Sequence, residues 1–473
     1  MNRNNEPRLF VTEDGLNVAL TFVLVCSLFL LWGFLNGMID VMDKHFQNEL
    51  GLSKAQSAWV QFAHYLGYFL MAIPAGWLAV KLGYKGGIIT GLMIVALGGF
   101  WFIPATRINA MVHTGSVSPT MAFVAFLVGV CVIATGLTFL ETIANPYTTV
   151  LGNPRFAATR INLAQSCNGV GWPLGPIVGG MFFYGTDTAG HSTGSQTLYI
   201  PYVTSAVVVL VLAGLFYLAR VPDVRAHDEY HMDEAGPGHS TSIWSHPHFS
   251  LAVAAQFFYV AAQAGIFSFF INYMTSEVPA IPAAWADAVA RVSSHAGILQ
   301  SWLTGWFRTT DAGTLAMSDK GAANLASLAF LFFVAGRFSG ANLLRRFKAH
   351  RLLALYAAMN VIMCLVVFGK LGWISVAAVF LSYFFMSIMF PTIFALGIFG
   401  LGPRAKRASS FIVMAIMGGA LLPKVMGFAA DRWDMSRAFI VPMACFAFVA
   451  FYGLRWARFS RAQSLHEGAV AGQ

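Results

Sequence analysis

Hydrophobic positions along this chain come in long unbroken runs, not in the alternation of a half-buried strand or the stripe of a surface helix. Apolar stretches of about 20 residues, the length that crosses a bilayer, recur at 17–42, 57–81, 86–104, 120–150, 160–184, 199–220, 249–276, 322–346, 351–369, 373–400, 407–429 and 434–458. They predict twelve helices, called spans 1 to 12 below. A polar stretch at 221–248 (VPDVRAHDEYHMDEAGPGHSTSIWSHPH) divides them six and six. The predicted organisation is an N-terminal segment 1–16, a six-helix bundle 17–220, a linker 221–248, a second bundle 249–458 and a tail 459–473. The second bundle carries an outer loop at 277–321 with Trp285, Trp302 and Trp306, residues that favour the interfacial layer.

The two halves repeat each other. Span 4 holds Pro146-Tyr-Thr-Thr-Val-Leu-Gly152 and span 10 holds Pro391-Thr-Ile-Phe-Ala-Leu-Gly397. A looser match links Gly76, Lys81 and Lys85 after span 2 to Gly340, Arg345 and Lys348 after span 8. Six plus six helices joined by a polar linker is the plan of alternating-access transporters of the major facilitator type. The fold class expected is therefore all-α and membrane-spanning, with two six-helix pseudo-repeats. Pro146, Pro173, Pro176, Pro391 and Pro423 lie inside spans and are expected to break them where the freed backbone faces protein or a wet cavity.

Composition agrees with this setting. The chain is 57% hydrophobic and 10% charged, against about 25% charged in an average soluble domain. The net charge of +9 does not gather into a phosphate-binding face, so a nucleic-acid partner is not expected. It works as a topology signal. The N-terminus, the even-to-odd loops and the C-terminus hold eighteen Lys and Arg, and the opposite side holds nine. That excess places both termini and the linker in the cytoplasm. Residues 1–16 lack a cleavable signal pattern, so span 1 is expected to serve as the signal. Cys26, Cys131, Cys167, Cys364 and Cys445 lie in apolar runs without metal spacing and read as free thiols. Five His fall at 227–248, also without metal spacing. No nucleophile–base motif, metal set or phosphate loop points to an enzyme or a cofactor.

Two acids change the picture. Asp40 lies in LWGFLNGMIDVM of span 1 and Glu141 in VIATGLTFLETIANPY of span 4. An ionisable group at mid-membrane costs about 2.5–3.5 kcal/mol on insertion scales, which marks it as functional by default. Helical spacing adds polar neighbours. Asn36 shares a face with Asp40, and Asn145 with Glu141; Asn162, Gln165 and Asn168 step along span 5; Gln256, Tyr259 and Gln263 step along span 7. Such faces could line one cavity, where carboxylates and amides match sugar hydroxyls and Phe34, Tyr147 and Phe390 offer apolar surface to a ring. The rival reading is that these amides glue helices together, at about 1–2 kcal/mol each. Arg337 in span 8 reads either as a snorkelling cation or as part of an inner gate. Lys424 near the end of span 11 is expected to snorkel. Asp43, Lys44 and His45 are expected at the outer surface where span 1 ends.

Seven stretches in order, AGWLAVKLGYKGGIITG (75–91), FLETIANPYTTVLG (139–152), RINLAQSCN (160–168), AQFFYVAAQAG (255–265), GRFSG (336–340), FMSIMFPTIFALG (385–397) and SSFIVMAIMGGALLP (409–423), resemble the L-fucose–proton symporter family of the major facilitator superfamily. The resemblance runs from about 20 to 455 and implies a monomeric sugar–proton symporter of the bacterial inner membrane. It implies that Asp40 is the proton-coupling acid and that Glu141 links sugar recognition to protonation. Gln165 and Asn168 then fall at cavity positions. The related glucose/galactose branch carries Gln where this chain has Glu141, and Glu where it has Gln263. The chain departs from the fucose pattern at Gly37 and Ile39, at Asn272, at Lys424 and in the long loop 277–321. A glucose or galactose transporter is the alternative within the family, and a non-transporting sugar sensor the alternative outside it.

Overall fold

All twelve apolar stretches are helical in the computed structural model, which describes residues 10–11, 15–152, 157–184, 194–219, 242–294, 304–311, 313–344, 346–399, 401 and 405–460. Ten helices among the described residues meet the length and hydropathy of a membrane span. The other two are the start of Trp59–His113 and the helix Ala157–Phe182, whose Gly, Pro and polar residues dilute their hydropathy. Spans 2 and 3 run together as Trp59–His113 with a turn at Gly83, where φ is 68° and only glycine is unstrained. The linker segment 221–241 lies outside the described residues; span 7 begins at Pro247.

Pro391 acts as expected, one turn after the break in span 10, and the other prolines do not. Pro173 and Pro176 lie inside the continuous helix Ala157–Phe182, and Pro423 inside Gly418–Arg432. The helix Pro119–Val150 likewise runs past position 146. Most interruptions stand elsewhere. Span 1 is a 22-residue helix, Ala19–Asp40, then a break at Val41, then Met42–Leu50. Span 7 is a 22-residue helix, Pro247–Ser268, then a break at Phe269, then Phe270–Ser276. The same length before the same one-residue break is the clearest structural trace of the repeat. The Val41 carbonyl accepts from the Tyr184 hydroxyl at 2.6 Å. Span 10 breaks between Trp373–Met386 and Met389–Ile398, just before position 391. Span 11 passes through a 3-10 turn at Ala415–Met417.

Spans 1 and 5 pack backbone to backbone. A Cβ built at Gly33 would stand 2.1 Å from the Asn168 carbonyl oxygen, and one at Gly37 would stand 2.4 Å from that of Trp172. On the partner helix, Gly171 and Gly175 meet Leu30 and Gly37 as closely. Each helix thus presents Gly-x-x-x-Gly, the small-residue pattern that brings membrane helices together.

Among its described residues the loop 277–321 contains the short helix Ala283–Ser294 and a two-stranded hairpin. β1 (Phe307–Thr309) pairs antiparallel with β2 (Leu315–Met317), Phe307 opposite Met317. Trp285 packs at a tilt against Trp373, with ring centroids 4.8 Å apart. Trp302 lies outside the described residues.

Candidate functional site

Asp40 is the last residue before the span 1 break and is buried. The Gln61 amide of span 2 donates to one of its oxygens at 3.3 Å, and the other oxygen has no partner. Asn36, one turn earlier, faces the Tyr68 hydroxyl, which also accepts from the Trp32 indole N–H at 2.8 Å. The Asn36 carbonyl oxygen has no partner. Glu141 is half-buried on span 4 and within electrostatic reach of Tyr65 and Tyr68. Tyr65 in turn lies within reach of Asp40 and of Tyr259 in the other half.

Tyr65 therefore stands between the acids of one half and the aromatic wall of the other. A Cβ at Gly419 of span 11 would fall 2.3 Å from its ring. The sequence reading passed over span 2. Yet Gln61, Tyr65 and Tyr68 step i, i+4, i+7, the spacing used to group the other faces.

The second half contributes differently. Gln256 is fully buried, and neither polar atom of its amide has a partner. Tyr259 donates to the Met386 carbonyl at 2.9 Å and so ties span 7 to span 10 at the latter's break. Gln263 is half-buried on the same helix. Arg337 faces the Phe333 ring at 4.9 Å, with its Nε unpartnered, and lies within electrostatic reach of Tyr259.

Asn168 is placed as a helix tie. Its amide donates to the Phe29 carbonyl at 3.2 Å, and its oxygen accepts from Trp172 at 3.2 Å. Gln165, one turn earlier, is half-buried. The side chains of Asn145 and Asn162 lie outside the described residues. Phe34 does not join the acids. It lines a largely apolar groove of about 470 Å³ between spans 1, 5 and 6, with Leu30, Leu174 and Val208. Tyr147 packs on Tyr84, ring centroids 4.7 Å apart, and Phe390 lies 6.5 Å from the Tyr259 ring.

One surface expectation is overturned. Asp43 is 0% exposed and His45 2% exposed, because span 1 continues past Val41 into the bundle. Ser268 of the second half faces Asp43, and His45 packs within the first half, against the rings of Phe183 and Tyr184. His45 also contacts the Phe183 carbonyl through Nδ1 at 2.9 Å. The Lys424 Nζ stands 3.2 Å from the centroid of the Trp59 ring across the two halves, a cation–π contact.

That contact belongs to a seam. Asp431 accepts from the backbone N–H groups of Lys54 and Ala55 at 3.0 and 2.9 Å, capping the short helix Lys54–Ser57 from the other half. Gln47 and Asn272 exchange amide hydrogen bonds at 3.4 and 2.5 Å. Asn48 donates to Asp319 at 2.5 Å. The seam continues to mid-depth, where Trp172 meets Phe330 at 5.1 Å between ring centroids.

The sequence pattern of the Major Facilitator Superfamily matches residues 19–422. The chain belongs to the Major Facilitator Superfamily. Within it, the chain is 34% identical to the L-fucose-proton symporter of Escherichia coli (strain K12), over 92% of each chain. It is 30% identical to the glucose/galactose transporter of Brucella abortus biovar 1 (strain 9-941), over 95% of this chain and 97% of that one. Among solved structures, the Major Facilitator Superfamily transporter FucP in the outward conformation superposes with a TM-score of 0.62 at 33% identity, covering 93% of this chain and 99% of that one. A D-xylose-proton symporter, 11% identical, shares the fold with a TM-score of 0.64, over 93% of this chain and 97% of that one. This superfamily chain is accordingly a multi-pass membrane transporter and not an enzyme, as its sequence leads one to expect.

Proposed function

We propose that the chain couples uptake of a hexose, L-fucose or a close relative, to the entry of protons by alternating access. The observation that carries this reading is the placement of Asp40. A buried carboxyl sits at a helix break, held by one amide, within reach of Tyr65, which also reaches Glu141 and Tyr259. A carboxyl in that position changes its charge at the junction on which the two halves move. Asp40 is the coupling acid in this reading, and Glu141 links the proton to the sugar. Asn36, Asn145, Gln165, Asn168, Gln256, Tyr259 and Gln263 are the substrate-binding set, with Gln256 best supported, since its buried amide has both atoms free for hydroxyls.

The Lys and Arg bias supports placing both termini and the linker 221–248 in the cytoplasm, and the bacterial symporter relative supports an inner-membrane location. With that orientation the seam of Gln47–Asn272, Asn48–Asp319 and Asp431 faces outward. The arrangement described is then closed to the outside.

Uptake of labelled sugar into vesicles, with and without an imposed pH gradient, tests the reading. L-Fucose is expected to compete best and galactose less well. Strong competition by D-glucose with none by L-fucose would move the assignment to the glucose/galactose branch, as the Brucella relative suggests. Gln263→Glu places that branch's acid on span 7 and is expected to disturb fucose uptake.

A further inference from the structure

Asp43 has no part in the site as assembled above, yet it is as deeply buried as any residue in it. It lies one turn beyond Asp40, across the Val41 break, with 0% of its surface exposed. Neither carboxyl oxygen has a hydrogen bond of ordinary geometry. The groups that face it come from four spans. Asp40 stands on its own span. Gln61 of span 2 faces both acids and donates to Asp40. Ser268 of span 7 is fully buried, its hydroxyl unpartnered and aimed at Asp43. Tyr184, from the end of span 5, lies within electrostatic reach. His64, one turn along span 2 from Gln61, is also buried and packs on the rings of Tyr65 and Tyr68, both at 5.0 Å. Tyr383 of span 10 and Tyr65 complete the neighbourhood on the Asp40 side.

Ser268 is the last residue before the span 7 break, as Asp40 is before the span 1 break. The two breaks therefore meet across the halves with Asp43 between them. A bare carboxylate sealed there is costly, and two carboxylates in one site do not both ionise readily.

We propose that Asp43 is a second proton-binding group, linked to Asp40 through their shared Gln61 amide, and that it must be neutral for the second half to close over it at Ser268. The inference rests on the proton-symport reading above. When this end of the bundle is open, a proton from the outside water adds to a carboxylate oxygen of Asp43; the resulting hydroxyl then has the Ser268 oxygen as acceptor when the seam closes. Asp40 and Asp43 titrate as a pair and not as two separate acids. Asp43 also stands nearer than Asp40 to the Gln47–Asn272 contact along span 1, so it meets entering protons first.

The test is the dependence of sugar uptake on outside pH in proteoliposomes, with radiolabelled L-fucose, or D-galactose if that competes better. Asp43→Asn is neutral at every pH, so closure then needs one proton, on Asp40, where the wild type needs two. Asp43→Asn is therefore expected to make proton-driven uptake depend less steeply on outside pH, from a two-proton toward a one-proton dependence, and to keep more uptake at alkaline pH, with sugar exchange at acid pH preserved. Asp43→Leu, which needs no partner in the closed seam, is expected to show the same change, and Ser268→Ala, which removes the acceptor of the protonated Asp43, a shift toward acid. A wild-type protein whose uptake ignores the pH gradient removes the symport reading itself. A wild-type protein that is driven by the gradient, with Asp43→Asn and Asp43→Leu profiles superimposed on it, overturns only the role of Asp43. Should neither variant reach the membrane, infrared difference spectra on a pH jump decide. A protonated-carboxyl band that still titrates in Asp40→Asn/Glu141→Gln supports the proposal, and loss of every such band overturns it.

Discussion

Spans 1 and 7 are the same object built twice, and they do different work. Each is a 22-residue helix, one broken residue and a short outer helix. Span 1 puts Asp40 before its break and Asp43 after it, whereas span 7 puts Ser268 before and Ile271 after. The duplicated backbone supplies a hinge-like interruption in both halves. The buried acids Asp40, Asp43 and Glu141 sit in the first half, and span 7 brings Gln256, Tyr259 and Gln263 in place of acids. A repeat thus fixes where a functional group can be placed, and leaves open which half carries it.

The largest expected effect comes from taking the charge out of the first half. Asp40→Asn fixes the neutral form. It is expected to abolish uphill accumulation while leaving sugar exchange intact, read as accumulation against exchange in the same vesicles. Glu141→Ala is expected to abolish both, and Glu141→Gln to keep part of the exchange. Retained uphill uptake by Asp40→Asn would transfer the coupling role to Glu141 and erase the contrast between the two breaks.

Packing gives the next effect. Gly37→Ala forces a methyl toward the Trp172 carbonyl and the Gly175 backbone. Overpacking of that kind costs about 1–3 kcal/mol, and it is expected to lower the melting temperature in detergent. Gly214 of span 6, which has nothing within 4 Å of a built Cβ, is the control and is expected to accept Ala.

The seam offers a more graded test. Asp431→Asn weakens the cap on Lys54–Ser57 and removes the Lys54 ion pair at 3.8 Å. A charged cap of this kind contributes about 1 kcal/mol, so labelling of cysteines placed near the seam is expected to rise several-fold. Unchanged labelling would mean that the seam is held by the packed aromatic residues and not by its polar rim.

The smallest effect concerns the loop. Excising Ala283–Ser294 removes an exposed helix whose Trp285 leans on Trp373. Uptake is expected to persist at normal membrane levels. Complete loss of uptake would instead give this half an outer element of its own that the first half lacks.

Much of this was legible in the chain. Run length and the polar divider gave twelve helices and two halves, because a bilayer demands apolar length whatever the packing. Asp40 and Glu141 stood out by their cost in an apolar run. The break before Pro391 is legible, but Pro173, Pro176 and Pro423 lie inside continuous helices, and the breaks at Val41 and Phe269 carry no proline or glycine to mark them. Asp43 was assigned to the surface because one sequence cannot show that the opposite half folds over the end of span 1. Span 2 carries a legible signal of its own: Gln61, Tyr65 and Tyr68 have the same helical spacing as the other polar faces.

Gly37 has a consequence for the history of the binding face. The fucose pattern favours an amide at this position, and here the backbone of span 5 has moved into the space such a side chain would fill, 2.4 Å from where its Cβ would stand. Reversal by one substitution is closed off. An amide could return only after Trp172 and Gly175 had retreated, and nothing would favour their retreat while Gly37 remained. The close fit of two helices thereby works as a ratchet on specificity, committing descendants of this chain to find new sugar contacts elsewhere in the bundle.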